Sequence, residues 1–458
     1  MLRRKMLERI KAWQRSSSHK ALLLTGARQT GKTFMVREFA RDRYESFIEV
    51  NFIENKDAAS FLGSAADSRD LVTRITFLTG QEIKPGSTCI FFDEVQKEPE
   101  VVTMSKFLLE DGRFDVILSG SLLGVELKGI RSFPVGYVHI ERMYPLDFEE
   151  FCWSQAVPDE MLDTLRACYQ GRQPIEKTLH ERFVRLFRRY VVLGGMPEAV
   201  QRYNDTSHDL NEVRAVTSDI IEQYREDIVQ YARGRAPQIK MIFDNIPSEL
   251  AKVNKRFHMK SIKKGATYDR YNDDFAWLID AGVALPTYAV EEPRFPLIRT
   301  KVKERFKLYS SDVGLLISQY PRKITMDVIE GSSSVNFGSV YENVIAQELQ
   351  AIYPHLYYYN SNRKGEIDFL FETDSGTVIP IEVKSGKDYK LHTALNNLLE
   401  TDEYGIEFAY VLSEGNLSIG ERKGKPVYYL PLYLTFCLSF EKSLDLTDDP
   451  RGQVPRVI

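Results

Sequence analysis

Short apolar runs that stop abruptly at polar residues dominate the first part of the chain. Lys20-Ala21-Leu22-Leu23-Leu24 reads as a buried strand, and Thr33-Phe34-Met35-Val36-Arg37-Glu38-Phe39-Ala40 spaces its apolar residues along one face of a helix. Ile48-Glu49-Val50-Asn51-Phe52 alternates apolar and polar residues, the period of a half-buried strand, and follows soon enough to complete a β-α-β unit. Thr88-Cys89-Ile90-Phe91-Phe92-Asp93-Glu94 is a continuous apolar run closed by two acids. That pattern suits a central parallel strand whose carboxyl end faces a ligand crevice. Phe114-Asp115-Val116-Ile117-Leu118 is a further strand, ending at Ser119-Gly120-Ser121. Alternating strands and helices predict an α/β core on a parallel sheet.

Between the first strand and its helix lies Gly26-Ala27-Arg28-Gln29-Thr30-Gly31-Lys32-Thr33, which fits G-x-x-x-x-G-K-[ST] at each fixed position. Strand, glycine-rich loop and helix are the context this phosphate-binding motif needs. Backbone N–H groups of the loop curl around a phosphate, and glycine allows the close approach. Lys32 is placed to reach the β- and γ-phosphates and Thr33 to offer its hydroxyl to Mg²⁺, so ATP and Mg²⁺ are the expected ligands. The acids at the end of the apolar run complete the site: Asp93 as a holder of Mg²⁺, Glu94 as the base that orients and deprotonates water. A second glycine-lysine stretch, Gly420-Glu421-Arg422-Lys423-Gly424-Lys425-Pro426, is one residue short and carries proline where the motif needs Ser or Thr; it reads as a hairpin turn.

Composition adds boundaries. The 458 residues suggest three or four domains, and 43% hydrophobic with 28% charged residues is ordinary for a soluble globular chain. A net charge of −4 provides no global field for nucleic acid, so any such contact needs a local patch. Cys89, Cys152, Cys168 and Cys437 are scattered without metal-ligand spacing, as expected of reduced thiols in a cytoplasmic protein. No apolar run is long enough to span a membrane.

Four further segments carry a resemblance: Tyr190-Val191-Val192-Leu193-Gly194-Gly195-Met196-Pro197-Glu198-Ala199-Val200, Tyr144–Phe151, Leu308–Leu315 and Gly365-Glu366-Ile367-Asp368-Phe369. Together with the phosphate-binding loop they resemble a group of bacterial and archaeal AAA-type P-loop ATPases whose C-terminal domain, DUF4143, is of unknown function. The resemblance implies an AAA-type core (1–145), a helical lid-like segment (146–215), a winged-helix-like segment (216–295) and a nuclease-like domain (296–458). It also implies a polar residue, sensor 1, that touches the γ-phosphate or the water: Ser119, with Ser121 second. Gly129–Gly136 departs from the usual segment after sensor 1, so no arginine finger is assigned to Arg131. From the residues alone, Gly194-Gly195-Met196-Pro197 is a helix stop and a structural turn.

In the middle of the chain, a short helix is expected to start at Ile246 and a second to run over Thr267–Asp280 with Thr267 as its cap, and Ala281-Gly282-Val283-Ala284-Leu285 then ends it and begins a strand. Lys255, Arg256, Lys260, Lys263 and Lys264 form a basic patch beside the second helix, whereas Asp269, Asp273 and Asp274 on that helix would repel DNA; a packing or hinge module is favoured.

Near the C-terminus, Gly365–Phe371 and Val378–Lys384 read as strands joined by the turn Asp374-Ser375-Gly376. A hairpin centred on Ser375 sets Asp368 opposite Glu382, with Lys384 on the same face, although Pro380 argues for an edge or a bulge. Two carboxylates there would bind Mg²⁺ beside a lysine that positions water, with Glu342 on a preceding helix as a further ligand. This pattern resembles the PD-(D/E)xK, restriction-endonuclease-like superfamily. Two readings stay open: an ATPase driving an Mg²⁺-dependent DNA nuclease, and an ATP-controlled switch or scaffold whose nuclease-like domain binds a partner. AAA-type sites also imply self-association.

Overall fold

The computed structural model describes residues 2–16, 20–55, 57–97, 100–121, 135–232, 234–332, 338–353, 355–385 and 392–438. Arg131 lies outside them. The chain separates into two compact units, each discontinuous in sequence: Met1–Leu162 with Arg185–Pro286 and Lys307–Ala351, and Asp163–Val184 with Thr287–Phe306 and Ile352–Ile458. The expected segment 1–145 lies whole in the first unit, and the unit boundaries fall within the other three expected segments.

The first unit holds a five-stranded parallel sheet made of β1 (Ala21–Thr25), β2 (Ser46–Asn51), β3 (Thr88–Asp93), β4 (Asp115–Gly120) and β5 (Val138–Arg142). Its order is β2-β3-β4-β1-β5. Alternation along each strand feeds two layers. Leu23, Ile90, Phe92 and Leu118 face one core, where they meet Leu71, Ile75 and Val102. Leu22, Leu24, Phe91 and Ile117 face the other, against Met35, Val36 and Phe39 of the helix Lys32–Arg41 and Ile10 and Trp13 of the helix Met6–Arg15. Each such side chain, fully buried, contributes about 1.5–3 kcal/mol of transfer free energy. Burial on both faces is why β3 reads as an unbroken apolar run.

Three of the resembling segments meet in this unit. Gly194, at φ 73°, ends the helix Lys177–Leu193, and Pro197 opens the helix Pro197–Asp205. A Cβ on Gly194 would lie 2.1 Å from Asp312 Oδ1, and one on Gly195 would lie 2.0 Å from the Leu146 carbonyl. Gly195 N donates to Asp312 Oδ2 at 2.6 Å, Leu146 N donates to the Gly195 carbonyl at 2.7 Å, and the Tyr190 hydroxyl donates to the Leu146 carbonyl at 2.7 Å. The glycine pair is thus demanded by the Asp312 carboxylate on one side and the Leu146 backbone on the other.

The middle helices differ from expectation in one place. Ile246 does not start a helix; it lies near the end of the helix Ala236–Leu250, which contains Pro247 in its last turn. Burial of Ile239, Ile242, Phe243 and Ile246 along one face outweighs the hydrogen bond that proline removes. Thr267 does occupy the N-cap of the helix Tyr268–Asp280, but its side chain makes no capping hydrogen bond. Asp274 is buried and paired with Arg235, so it is not part of an acidic outer face.

A mixed sheet ordered β12-β13-β11-β10-β9-β8-β6-β7 gives the second unit β8 to β13 whole, with Thr287–Val290 of β6 and Lys301–Phe306 of β7. Its strands are β6 (Ala284–Val290), β7 (Lys301–Ser310), β8 (Leu356–Ser361), β9 (Gly365–Glu372), β10 (Val378–Val383), β11 (Ala409–Ser413), β12 (Ser418–Arg422) and β13 (Lys425–Pro431). Gly420–Pro426 does form the β12–β13 hairpin, with Arg422 opposite Lys425 and Lys423 and Gly424 both at positive φ.

Candidate functional site

Strand register gathers the first unit's polar residues at one edge of its sheet. Leu24 pairs with Ser119, and Asn51 pairs with Asp93, so the carboxyl ends of β1, β2, β3 and β4 open together beside the loop Gly26–Thr33. Ligands of open α/β sheets bind at such an edge. Gly26 sits at φ 144°, and a Cβ there would fall 2.2 Å from the Met143 carbonyl, so a side chain is excluded. The loop ends at Gly31, which caps the helix Lys32–Arg41 and directs its first N–H groups toward an anion.

Asp93 is the hub. Its Oδ2 accepts from the Thr33 hydroxyl at 2.9 Å and from Asn51 Nδ2 at 3.1 Å, and its Oδ1 accepts from the Ser119 hydroxyl. Burial raises its pKa, partly offset by the Ser119 and Thr33 hydrogen bonds. Lys32 Nζ donates to the carbonyls of Gly26 at 3.0 Å and Ala27 at 2.8 Å. Burial lowers the Lys32 pKa to about 8 against the opposing pull of Glu94 and Asp93. Glu94 holds φ 58°, an unusual value for a side chain of its size, and accepts from Gln96 Nε2. Gln96 also donates to Ser121 Oγ at 3.3 Å, so Ser121 supports Glu94 through Gln96 while Ser119 supports Asp93 directly.

Sequence reasoning missed Asn51 and Gln96, and it missed the helix Leu210–Tyr231. That helix lies against the loop: Arg28 pairs with Asp227 at 3.0 Å, the Tyr224 hydroxyl donates to the Arg28 carbonyl at 3.1 Å, and Gln29 Nε2 donates to Gln223 Oε1 at 3.1 Å. Burial pushes the Asp227 pKa up to about 6 against the pull of Arg28.

In the second unit the predicted hairpin register holds where its ladder runs: Phe371 pairs with Ile379 and Phe369 with Ile381. Val383 N donates to Asp368 Oδ2 at 2.9 Å. Glu382 is buried, with Oε1 2.5 Å from Lys384 Nζ and Oε2 3.2 Å from His392 Nδ1. Pro380 stands in an interior strand, not at an edge; the pairing of β10 with β11 begins one residue later, at Ile381. His392 is itself buried, and among the described residues no hydrogen-bond partner reaches its Nε2. No motif in the sequence pointed to it.

Glu342 is not brought into that group. It belongs to the first unit, on the helix Gly338–Gln350, where Lys255, Lys307 at 3.1 Å and the Tyr309 hydroxyl at 2.9 Å close around it. Burial alone would raise its pKa, but the two lysines outweigh burial and hold it down to about 2. Lys255 is thereby withdrawn from the expected basic patch. Among the described residues no cluster of three or more His, Cys, Asp or Glu side chains is gathered as for a metal ion.

Comparisons with known proteins match three successive stretches of the chain. Residues 18–152 match the family described as AAA domain. Residues 184–323 match a domain of unknown function, DUF8612, and residues 337–433 match another, DUF4143. The N-terminal stretch is thus similar to AAA domains and has the strand–loop–helix geometry of a P-loop site. Among solved structures, a Walker-type ATPase of Pyrococcus abyssi is 13% identical, with 70% of this chain and 96% of that chain covered and a TM-score of 0.41. The Aeropyrum pernix ORC1 protein, solved in complex with DNA, is 10% identical over 72% of this chain and 91% of its own, at a TM-score of 0.26. The Thermotoga maritima RuvB Holliday junction branch migration motor is 12% identical over 66% and 92%, at 0.28. No match was found among curated proteins. No described helix is long and apolar enough to cross a membrane.

Proposed function

We propose that the protein is an Mg²⁺-dependent ATPase of the AAA type. The observation that carries this reading is the convergence of Thr33, Asn51 and Ser119 on the Asp93 carboxylate at the mouth of the phosphate-binding loop. The oxygen donors Thr33 and Asp93 suit a hard cation. When bound, Mg²⁺ would neutralise charge on the β- and γ-phosphate oxygens. Lys32 exchanges its loop carbonyls for those phosphates, Ser119 touches the γ-phosphate or the attacking water, and Glu94, held by Gln96, takes the proton from that water. Self-association follows from the AAA-type reading, with hydrolysis per subunit rising with protein concentration.

For the second unit, the reading is a nuclease-like site in which Asp368 and Glu382 bind Mg²⁺ and Lys384 positions water on DNA. A second reading, an ATP-controlled switch or scaffold, is favoured by the enclosure of Glu342 with lysines and by the contacts that occupy both Glu382 oxygens, Lys384 at one and the His392 ring at the other. Steady-state phosphate release by the wild-type protein and Glu94→Gln, with and without Mg²⁺, tests the first half; hydrolysis unaffected by the substitution or by removing Mg²⁺ would refute it.

A further inference from the structure

A cleft of about 400 Å³ is lined by the N-terminal half of the helix Leu210–Tyr231 and by the helices Val313–Ser318 and Arg322–Glu330, all within the first unit. Its lining residues are separate from the loop Gly26–Thr33 and from the residues that meet Asp93. We propose that this cleft binds a small amphipathic anion: an apolar body that carries one carboxylate or phosphate group. The proposal does not depend on the nucleotide reading above.

The floor of the cleft is apolar and fixed. Val192, Val213 and Ile317 line it and are buried. Gly314 lines it too and rests on the backbone of Leu193, where a Cβ would lie 2.3 Å from the carbonyl oxygen. Asp312 caps the same short helix by accepting from Leu315 N at 3.0 Å. Met326, half exposed, adds a thioether that adapts to the shape of an apolar body. A volume of this size, on a largely apolar and pre-formed surface, belongs to the range of small-molecule sites.

The charge around that floor is positive. Arg214 Nη2 donates to the carbonyls of Ser318 at 2.6 Å and Tyr320 at 2.8 Å, which pins its guanidinium at the cleft. Arg322 is exposed in the first turn of its helix and has no ion-pair partner among the described residues. Asp209 is the one acid in the lining, and its Oδ1 is engaged as a helix cap, accepting from Asn211 N at 2.8 Å and Asn211 Nδ2 at 3.1 Å. Two guanidinium groups against one capping carboxylate leave a net positive charge over an apolar floor, the complement of an amphipathic anion. Arginine donors suit the paired oxygens of a carboxylate or phosphate. His208 contributes a further polar wall. Ser207 and His208, at φ 52° and 71°, turn the chain into the helix Leu210–Tyr231, and the His208 ring packs on Tyr203 with centroids 4.5 Å apart.

Three probes that share one apolar body test the proposal: 1-naphthoate, 1-naphthyl phosphate and the neutral 1-naphthamide, each titrated calorimetrically into the full chain. At least one of the anions is expected to bind about tenfold more tightly than the amide, the scale of a charge-assisted hydrogen bond, and the tighter anion names the head group. Arg322→Ala should remove most of that difference and leave amide binding unchanged. Arg322 is exposed, so its loss does not endanger the core. Thr325→Phe, which fills the cleft from a half-buried position in its wall, should weaken all three probes. Lys32→Ala should bind the probes as the wild type does, because the cleft does not use the phosphate-binding loop. No binding of any probe by the wild type, equal binding of amide and both anions, or anion affinity unchanged in both Arg322→Ala and Thr325→Phe would overturn the site. Loss of probe binding in Lys32→Ala would also overturn it, by locating the probes at the phosphate-binding loop.

Discussion

Arg28 Nη1 lies 3.0 Å from Asp227 Oδ1, an ion pair that ties the phosphate-binding loop to the helix Leu210–Tyr231. Asp227 also feels Glu94 and Lys97, so its charge acts on the same region that receives the phosphates. Removing one negative charge there should favour an anionic ligand. Asp227→Asn is expected to bind ATP roughly fivefold more tightly near pH 7.5, the size of a single partly screened charge interaction. Because burial holds the Asp227 pKa at about 6, the wild-type carboxyl takes up a proton as the pH falls, and the two proteins should converge near pH 5. Comparing variant and wild type at each pH cancels the titration of ATP itself. A constant ratio at both pH values would show that Asp227 does not govern the affinity.

Lys32 and Glu94 should separate binding from chemistry. Lys32→Ala removes the buried ammonium that would face the phosphates, so nucleotide affinity should fall steeply. Glu94→Gln keeps the shape of the site and should keep binding, with hydrolysis reduced by about a hundredfold or more. Gln96→Ala leaves Glu94 and Ser121 without their shared donor, so its effect is expected on turnover rather than on affinity. Single-turnover phosphate release alongside ATP binding distinguishes these outcomes; a loss of affinity without a loss of turnover in Gln96→Ala would contradict its positioning role.

Buried acids set the pH dependence of stability in the first unit. Burial, reinforced by Asp147, pushes the Glu348 pKa up to about 8, although Phe148 N donates to it at 2.9 Å and the Tyr190 hydroxyl lies 2.7 Å away. Burial also pushes the Asp312 pKa up to about 6. A raised carboxyl pKa means that the folded state holds a proton that the unfolded chain has released. Stability from these groups is therefore complete below the ordinary carboxyl range and is lost as pH rises through about 6 and then about 8. Glu348→Gln keeps an acceptor for Phe148 N and a polar partner for the Tyr190 hydroxyl, and cannot ionise. Its melting temperature should decline less than that of the wild type between pH 6 and pH 9; parallel declines would exclude Glu348 as a source of the slope.

The parts of the fold legible in the sequence were those set by local pattern. The loop Gly26–Thr33 and the strand ending at Asp93 announce themselves because backbone geometry and burial on two faces restrict residue choice. The hairpin register was readable because Asp374-Ser375-Gly376 centres the turn, as the pairing of Val378 with Glu372 shows. Long-range pairing was not legible. Asn51 meets Asp93 only because β2 lies next to β3, and strand order leaves no local trace. Glu342 reads from the sequence as a further ligand on a preceding helix, but its partners are Lys255 and Lys307. Helix limits also depended on tertiary burial: Ile246 and Pro247 resemble a helix start, yet the buried face from Ile239 onward carries the helix through them.

The C-terminal carboxylates provide the sharpest division between the two functional readings. If Asp368, Glu382 and Lys384 cut DNA, Asp368→Ala and Lys384→Ala should each abolish cleavage with ATP hydrolysis largely intact, and EDTA should stop cleavage as well, because carboxylates alone do not polarise a phosphate. Mn²⁺ is the first metal to try, since it accepts less regular oxygen geometry than Mg²⁺. The Glu382 carboxylate already meets Lys384 and His392, so a cation entering there competes with them for its oxygens. His392→Ala removes one competing partner and should leave Mn²⁺ binding unchanged or stronger if Glu382 is a ligand. Under the switch reading, plasmid and single-stranded DNA stay intact with every metal, and the same substitutions alter partner binding or stability instead. Cleavage surviving both Asp368→Ala and Lys384→Ala would remove this hairpin from the chemistry.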